Sequence, residues 1–133
     1  MKIKIFVVLL SLFMVAGCSA KSAEQHDSGV SVEMSESLNM KHISLNMYAD
    51  GSEVFSENVV NADHSTFKKR EIVWFDITFN DMANSTLELN LEYSENIDGT
   101  EPGITDKLDV SGAEKWINVK FSEDNQLKLV DME

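Results

Sequence analysis

Three histidines, abundant carboxylates, two tryptophans and a single cysteine are the residues of this 133-residue chain with chemistry to offer. The histidines, His26, His42 and His64, share neither the i, i+2 spacing of a strand site nor the i, i+4 spacing of a helix site for a metal. They read as three solvated side chains, and no cofactor is expected. Serines are plentiful, but the chain after residue 18 holds no Gly-x-Ser-x-Gly elbow. With 23 Asp and Glu, some carboxylates lie close together in any fold, so a glycosidase-like pair carries no information. The expectation is a protein without enzymatic activity.

Three further groups carry a more specific signal. Ser94 to Gly99 reads Ser-Glu-Asn-Ile-Asp-Gly and matches the middle of a calcium loop, but Ser94 replaces the first ligand and Thr105 the twelfth. A different calcium site would draw on Asp98, Glu101, Asp106 and Asp109, against a plain acidic loop that discourages edge pairing. Trp74 stands opposite the Val73-Phe75-Ile77-Phe79 phase, and Trp116 opposite Ile117-Val119-Phe121. If those phases form the core, both indoles point outward, with Ile72 beside Trp74. Outward indoles stack on sugar rings or anchor a protein partner, and Trp74, Trp116, Tyr48 and Ile72 are the candidate binding surface. Lys68-Lys69-Arg70 flanks the most aggregation-prone strand and reads as a gatekeeper.

The charge balance narrows the partners. Eleven Lys and Arg against 23 acids give a net charge of -12. That excludes a phosphate backbone as a partner, because nucleic acid is bound through clustered cations. One cysteine excludes an intramolecular disulfide framework and a Cys-rich zinc site.

The cysteine has a context of its own. Lys2 and Lys4 precede an apolar run from Ile5 to Val15, broken only by Ser11. The run is too short for a permanent span, which needs about 20 apolar residues, and it suits a signal peptide. It ends in Val15-Ala16-Gly17-Cys18, which resembles the lipobox of bacterial lipoproteins. The resemblance covers the signal region alone. It implies cleavage before Cys18, acylation of the Cys18 thiol, and a membrane anchor in the cell envelope. In enterobacteria-like lipoproteins an Asp after the Cys retains the protein at the inner membrane, so Ser19 favours the outer membrane if the source is Gram-negative. Loss of residues 1–17 removes Lys2 and Lys4 and no acid, taking -12 to -14.

The elements that position these residues follow from periodicity. Residues 18–38, rich in Ser, Glu, Ala and Lys, read as the lipidated Cys followed by a disordered tether. Val30, Val32 and Met34 alternate, which leaves open a first edge strand there. From residue 39 to 133 the period is two. Ile43-Leu45-Met47, Val54 to Val60, Val73 to Phe79, Leu87 to Tyr93, Leu108-Val110, Ile117-Val119-Phe121 and Leu127-Leu129 each predict a strand. Asp50-Gly51 marks a tight hairpin. Six to eight short strands without a helical stripe predict an all-β fold, a small antiparallel β-sandwich of immunoglobulin-like or transthyretin-like topology.

Three functions fit this reading. The first is a lipid-anchored, non-catalytic envelope module that binds another envelope protein. The second is an acidic inhibitor of a basic hydrolase such as lysozyme, steered by charge. The third is a glycan-binding module using the outward tryptophans. The oligomeric state is left open.

Overall fold

The computed structural model describes residues 27–35 and 39–133. The expected signal peptide, Cys18, His26 and the first part of the tether lie outside the described residues. No helix occurs among the described residues, and nine strands form two sheets. The first sheet joins β1 (Gly29–Met34), β4 (Ile72–Asp76), β8 (Trp116–Phe121) and β9 (Leu127–Met132) in the order β4-β1-β8-β9. The second joins β2 (His42–Ala49), β3 (Ser52–Val59) and β5 (Leu87–Ser94) in the order β3-β2-β5. The short β6 (Gly103–Ile104) and β7 (Leu108–Asp109) both pair with β5.

Alternation sets the inward faces, because successive side chains on a strand point to opposite sides. Val30, Val32 and Met34 of β1, Val73 and Phe75 of β4, and Ile117, Val119 and Phe121 of β8 are buried. They join Ile43, Leu45 and Met47 of β2 and Leu87, Leu89 and Leu91 of β5 in one hydrophobic cluster. Tyr93 and Phe121 bridge the sheets, with ring centroids 5.0 Å apart. The expected all-β sandwich is thus observed.

Two expectations about the first strand are corrected. Residues 29–34 are not tether, so the folded unit begins ten residues before position 39. Nor is β1 an edge. It lies between β4 and β8, with Val30, Ser31 and Val32 all buried. The sheet is also not purely antiparallel, because β1 runs parallel to β8, from Gly29↔Trp116 to Met34↔Phe121. The physical reason is that β1 supplies three inward apolar side chains and a small outward Ser31, which suits a central strand better than a solvated segment. Glycine is required where β1 begins. Gly29 has φ 155°, and a Cβ there would collide with the main-chain oxygen of Phe75.

The turns are built as their residues predict. Asp50 and Gly51, at φ 50° and 84°, form the two-residue β2–β3 hairpin, which requires positive φ at both positions. Asp50 Oδ1 accepts from the Thr86 N–H at 2.9 Å, fixing this hairpin to the start of β5.

Candidate functional site

The outer face of the first sheet gathers the candidate residues into a shallow groove of about 330 Å³. Its lining includes Ser31, Glu33, Ile72, Trp74, Trp116 and Val130. Register explains why. Trp74 of β4 lies directly across from Ser31 of β1, and Trp116 of β8 directly across from Gly29. Two bulky indoles therefore lie beside Ser31, the small outward residue of β1 that lines the groove. Both indoles are half-buried, while Ile72 is 53% and Val130 60% exposed. The outward parity of both tryptophans holds.

The floor is polar and ordered. Ser31 Oγ donates to Asn118 Oδ1 at 2.6 Å. The Asn118 Nδ2 group in turn donates to Asp131 Oδ1 at 2.5 Å. This chain crosses β1, β8 and β9 and fixes the Asn118 amide in one orientation. Lys115 Nζ sits 5.7 Å from the Trp116 ring centroid, within cation–π range. Val130 reaches the groove because of a bulge in the β8–β9 pairing, which shifts register between Asn118 and Val119.

Tyr48 is not part of this surface. It lies on β2, on the outer phase of the other sheet, opposite Glu53 and Glu88. Its ring is covered by Lys107 Nζ at 4.0 Å. The proposed quartet therefore divides, with Trp74, Trp116 and Ile72 together and Tyr48 on the far side of the sandwich.

The calcium candidates do not converge either. Asp98 Oδ1 accepts from the main-chain N–H and hydroxyl of Thr100 at 3.1 and 2.7 Å. Asp109 Oδ1 accepts from the Ser111 N–H at 2.9 Å. Asp106 is held through its main chain to Gln126 Oε1 at 2.8 Å. Glu101 sits in the left-handed region at φ 50°. The Asp98 and Asp109 carboxylates each engage their own turn, and among the described residues no three His, Cys, Asp or Glu gather as a metal site. These turns hold the Asp98 and Asp109 carboxyls below their ordinary value, chiefly through the hydroxyl and N–H donors of Thr100 and Ser111. Asp63 is lowered likewise by Ser65, and Asp124 by the Ser122 hydroxyl.

The remaining candidates do not line the groove. His42 opens β2 and packs against Gly99, where a Cβ would meet its imidazole. His64 takes φ 61° in its loop and donates its N–H to the Asn61 carbonyl at 2.9 Å. Lys68, Lys69 and Arg70 are exposed just before β4.

Reasoning from sequence missed Ser31, Asn118, Asp131 and Val130. The alternation of Ser31 and Glu33 with Val30, Val32 and Met34 was the available signal for the first of these. The bulge that exposes Val130 has no such signal. No protein-family model, no curated protein and no solved structure matches the chain.

Proposed function

We propose that this chain is a lipid-anchored, non-catalytic module of the cell envelope that binds another envelope protein through the outer face of its first sheet. The observation that carries the reading is the pair of indoles, Trp74 and Trp116, flanking one groove with exposed Ile72 and Val130 at its rim. Tryptophan is enriched among the residues that dominate binding energy, and partly buried aromatic anchors ringed by polar groups are their usual setting. The anchor is Cys18, acylated after cleavage of residues 1–17. The chain enters β1 at Gly29, directly beside Trp116. Residues 19–28 extend at most about 33 Å, so the partner sits close to the membrane that holds the anchor, with the outer membrane favoured by Ser19.

The test is in-cell photo-cross-linking of the full chain, with the reactive residue placed at Ile72 or Val130 and, as a control, at Tyr48. Ile72 and Val130 should capture one envelope protein that Tyr48 does not. Equal capture from both sheets, or none from the first, would overturn the reading. A captured basic hydrolase, released as salt rises, would make the module an inhibitor steered by its net charge.

A second reading rests on the hydrogen-bonded floor. Indoles beside the hydrogen-bonded Ser31 and Asn118, with Asp131 holding the Asn118 amide, are the mixture that sugar rings need, with an apolar face to stack on and fixed polar groups at the edge. Oligosaccharides would then quench Trp fluorescence in the wild type, and the quench would be lost in Trp74→Ala.

A further inference from the structure

We infer that Asp50 is a modification site, the position at which this chain converts aspartate to isoaspartate through a succinimide closed with Gly51, and that the fold protects Asp98 from the same change. The site lies at the β2–β3 turn, on the sheet that does not carry the indole groove.

The chain holds two Asp-Gly pairs, Asp50-Gly51 and Asp98-Gly99. Asp-Gly is the dipeptide best suited to this reaction, because glycine sets no side chain in the way of its attacking nitrogen. The same residue follows both aspartates, so the sequence alone does not rank them. The fold does.

The reaction needs a protonated carboxyl, a glycine nitrogen with a free hydrogen, and room for the two to meet. The Gly51 nitrogen attacks Cγ of the protonated Asp50 carboxyl. The Cγ–OH bond breaks, and the amide proton leaves with that hydroxyl as water. A five-membered imide remains, and water then adds at one of its two carbonyls. Addition at Cγ restores aspartate. Addition at the main-chain carbonyl carbon of Asp50 frees that carbon as a carboxylate and leaves the chain running through Cβ and Cγ. One water is lost and one regained, no oxidation state changes, and the mass stays the same.

At Asp98-Gly99 each requirement is opposed. Asp98 Oδ1 accepts from the N–H and the hydroxyl of Thr100 at 3.1 and 2.7 Å, and these donors hold the carboxyl below its ordinary value and so keep it ionised. The Gly99 N–H is engaged, donating to the Asn96 carbonyl at 3.0 Å. Gly99 is half-buried beside His42, whose imidazole lies 2.8 Å from where a Cβ would stand. Ser94 Oγ and Asn96 Nδ2 both donate to the Thr100 carbonyl, at 2.5 and 3.2 Å, and tie the loop shut.

At Asp50-Gly51 the carboxyl is held by a single bond, from the Thr86 N–H to Asp50 Oδ1 at 2.9 Å. The Asp50 N–H also donates to the Thr86 carbonyl at 2.9 Å, but that nitrogen takes no part in the reaction. The Gly51 N–H meets no acceptor among the described residues. Residues 50–53 are exposed, and beyond its chain neighbours nothing lies within 4 Å of the place a Gly51 Cβ would take. An exposed turn tip with so few contacts opens locally at low cost. Isoaspartate then adds one atom to the main chain of a two-residue turn and moves the carboxylate onto Cα, away from the Thr86 N–H.

The test is ageing of the purified full chain in warm, mildly acidic buffer, once folded and once in guanidinium chloride. Trypsin cuts after Lys41, Lys68, Arg70 and Lys107, so Asp50 and Asp98 fall on separate peptides, residues 42–68 and 71–107. Electron-transfer fragmentation tells isoaspartate from aspartate of equal mass. In the folded chain isoaspartate should form at Asp50 about tenfold faster than at Asp98, the scale set by two further hydrogen bonds that must open there. In denaturant the two sites should convert at similar rates. Equal rates in the folded chain, no isoaspartate at Asp50, or the same ratio in denaturant overturns the proposal.

Discussion

At the scale of single residues, the acidic side chains act within their own turns. Asp63, Asp98, Asp109 and Asp124 each have a hydroxyl donor two positions away, and these donors hold the four carboxyls below the ordinary value of 3.8. The folded-state value is depressed, so the stabilisation is complete above 3.8 and is lost as pH falls through the folded-state values. Denaturant midpoints should therefore be level above about pH 5 and drop in more acid solution. Asp98→Asn should make that drop shallower, and an unchanged acid limb would contradict the assignment. Glycine supplies a second test at this scale. Gly29→Ala drives a Cβ into the Phe75 carbonyl and should lower stability by about 1–3 kcal/mol, the usual cost of overpacking.

At the scale of elements, β1 decides the architecture. Among the described residues it is the one strand of the first sheet hydrogen-bonded to β4, and it carries the parallel pairing to β8. Val32 is fully buried in it. Val32→Ala should cost about 1.5–3 kcal/mol in a chemical denaturation experiment, whereas a residue in a solvated tether would cost nothing measurable. The periodicity of residues 30–34 was legible, but five alternating residues after a polar stretch do not reveal whether they enter a sheet at its edge or at its centre. β5 shows the opposite case. Leu87, Leu89, Leu91 and Tyr93 alternate without interruption over eight residues, and their strand and buried face follow from the sequence alone.

At the scale of the whole molecule, residues 27–133 hold 22 Asp and Glu against 8 Lys and Arg, a formal net charge of -14. Such a charge repels itself and opposes the compact state. Ion pairs such as Lys115–Glu133 at 3.9 Å are exposed and contribute little. Raising salt from about 10 mM to about 150 mM shortens the screening length from about 30 to about 8 Å. The melting temperature should then rise, and a fall would mean that attractive pairs outweigh the repulsion.

The sequence by itself determined what a period of two can determine. The strands β2, β4, β5 and β8 with their inward phases, the outward parity of Trp74 and Trp116, and the Asp50-Gly51 hairpin all follow from residues a few positions apart. The tertiary structure decided which strands are neighbours. Ser31 and Asn118 hydrogen-bond across 87 positions of chain, and no local pattern encodes that pairing. It brought two tryptophans to one groove and sent Tyr48 to the opposite sheet. It also left the Asp98 and Asp109 carboxylates in separate turns. The reason is physical: alternation fixes the face a side chain occupies, whereas adjacency depends on how all the buried faces pack together.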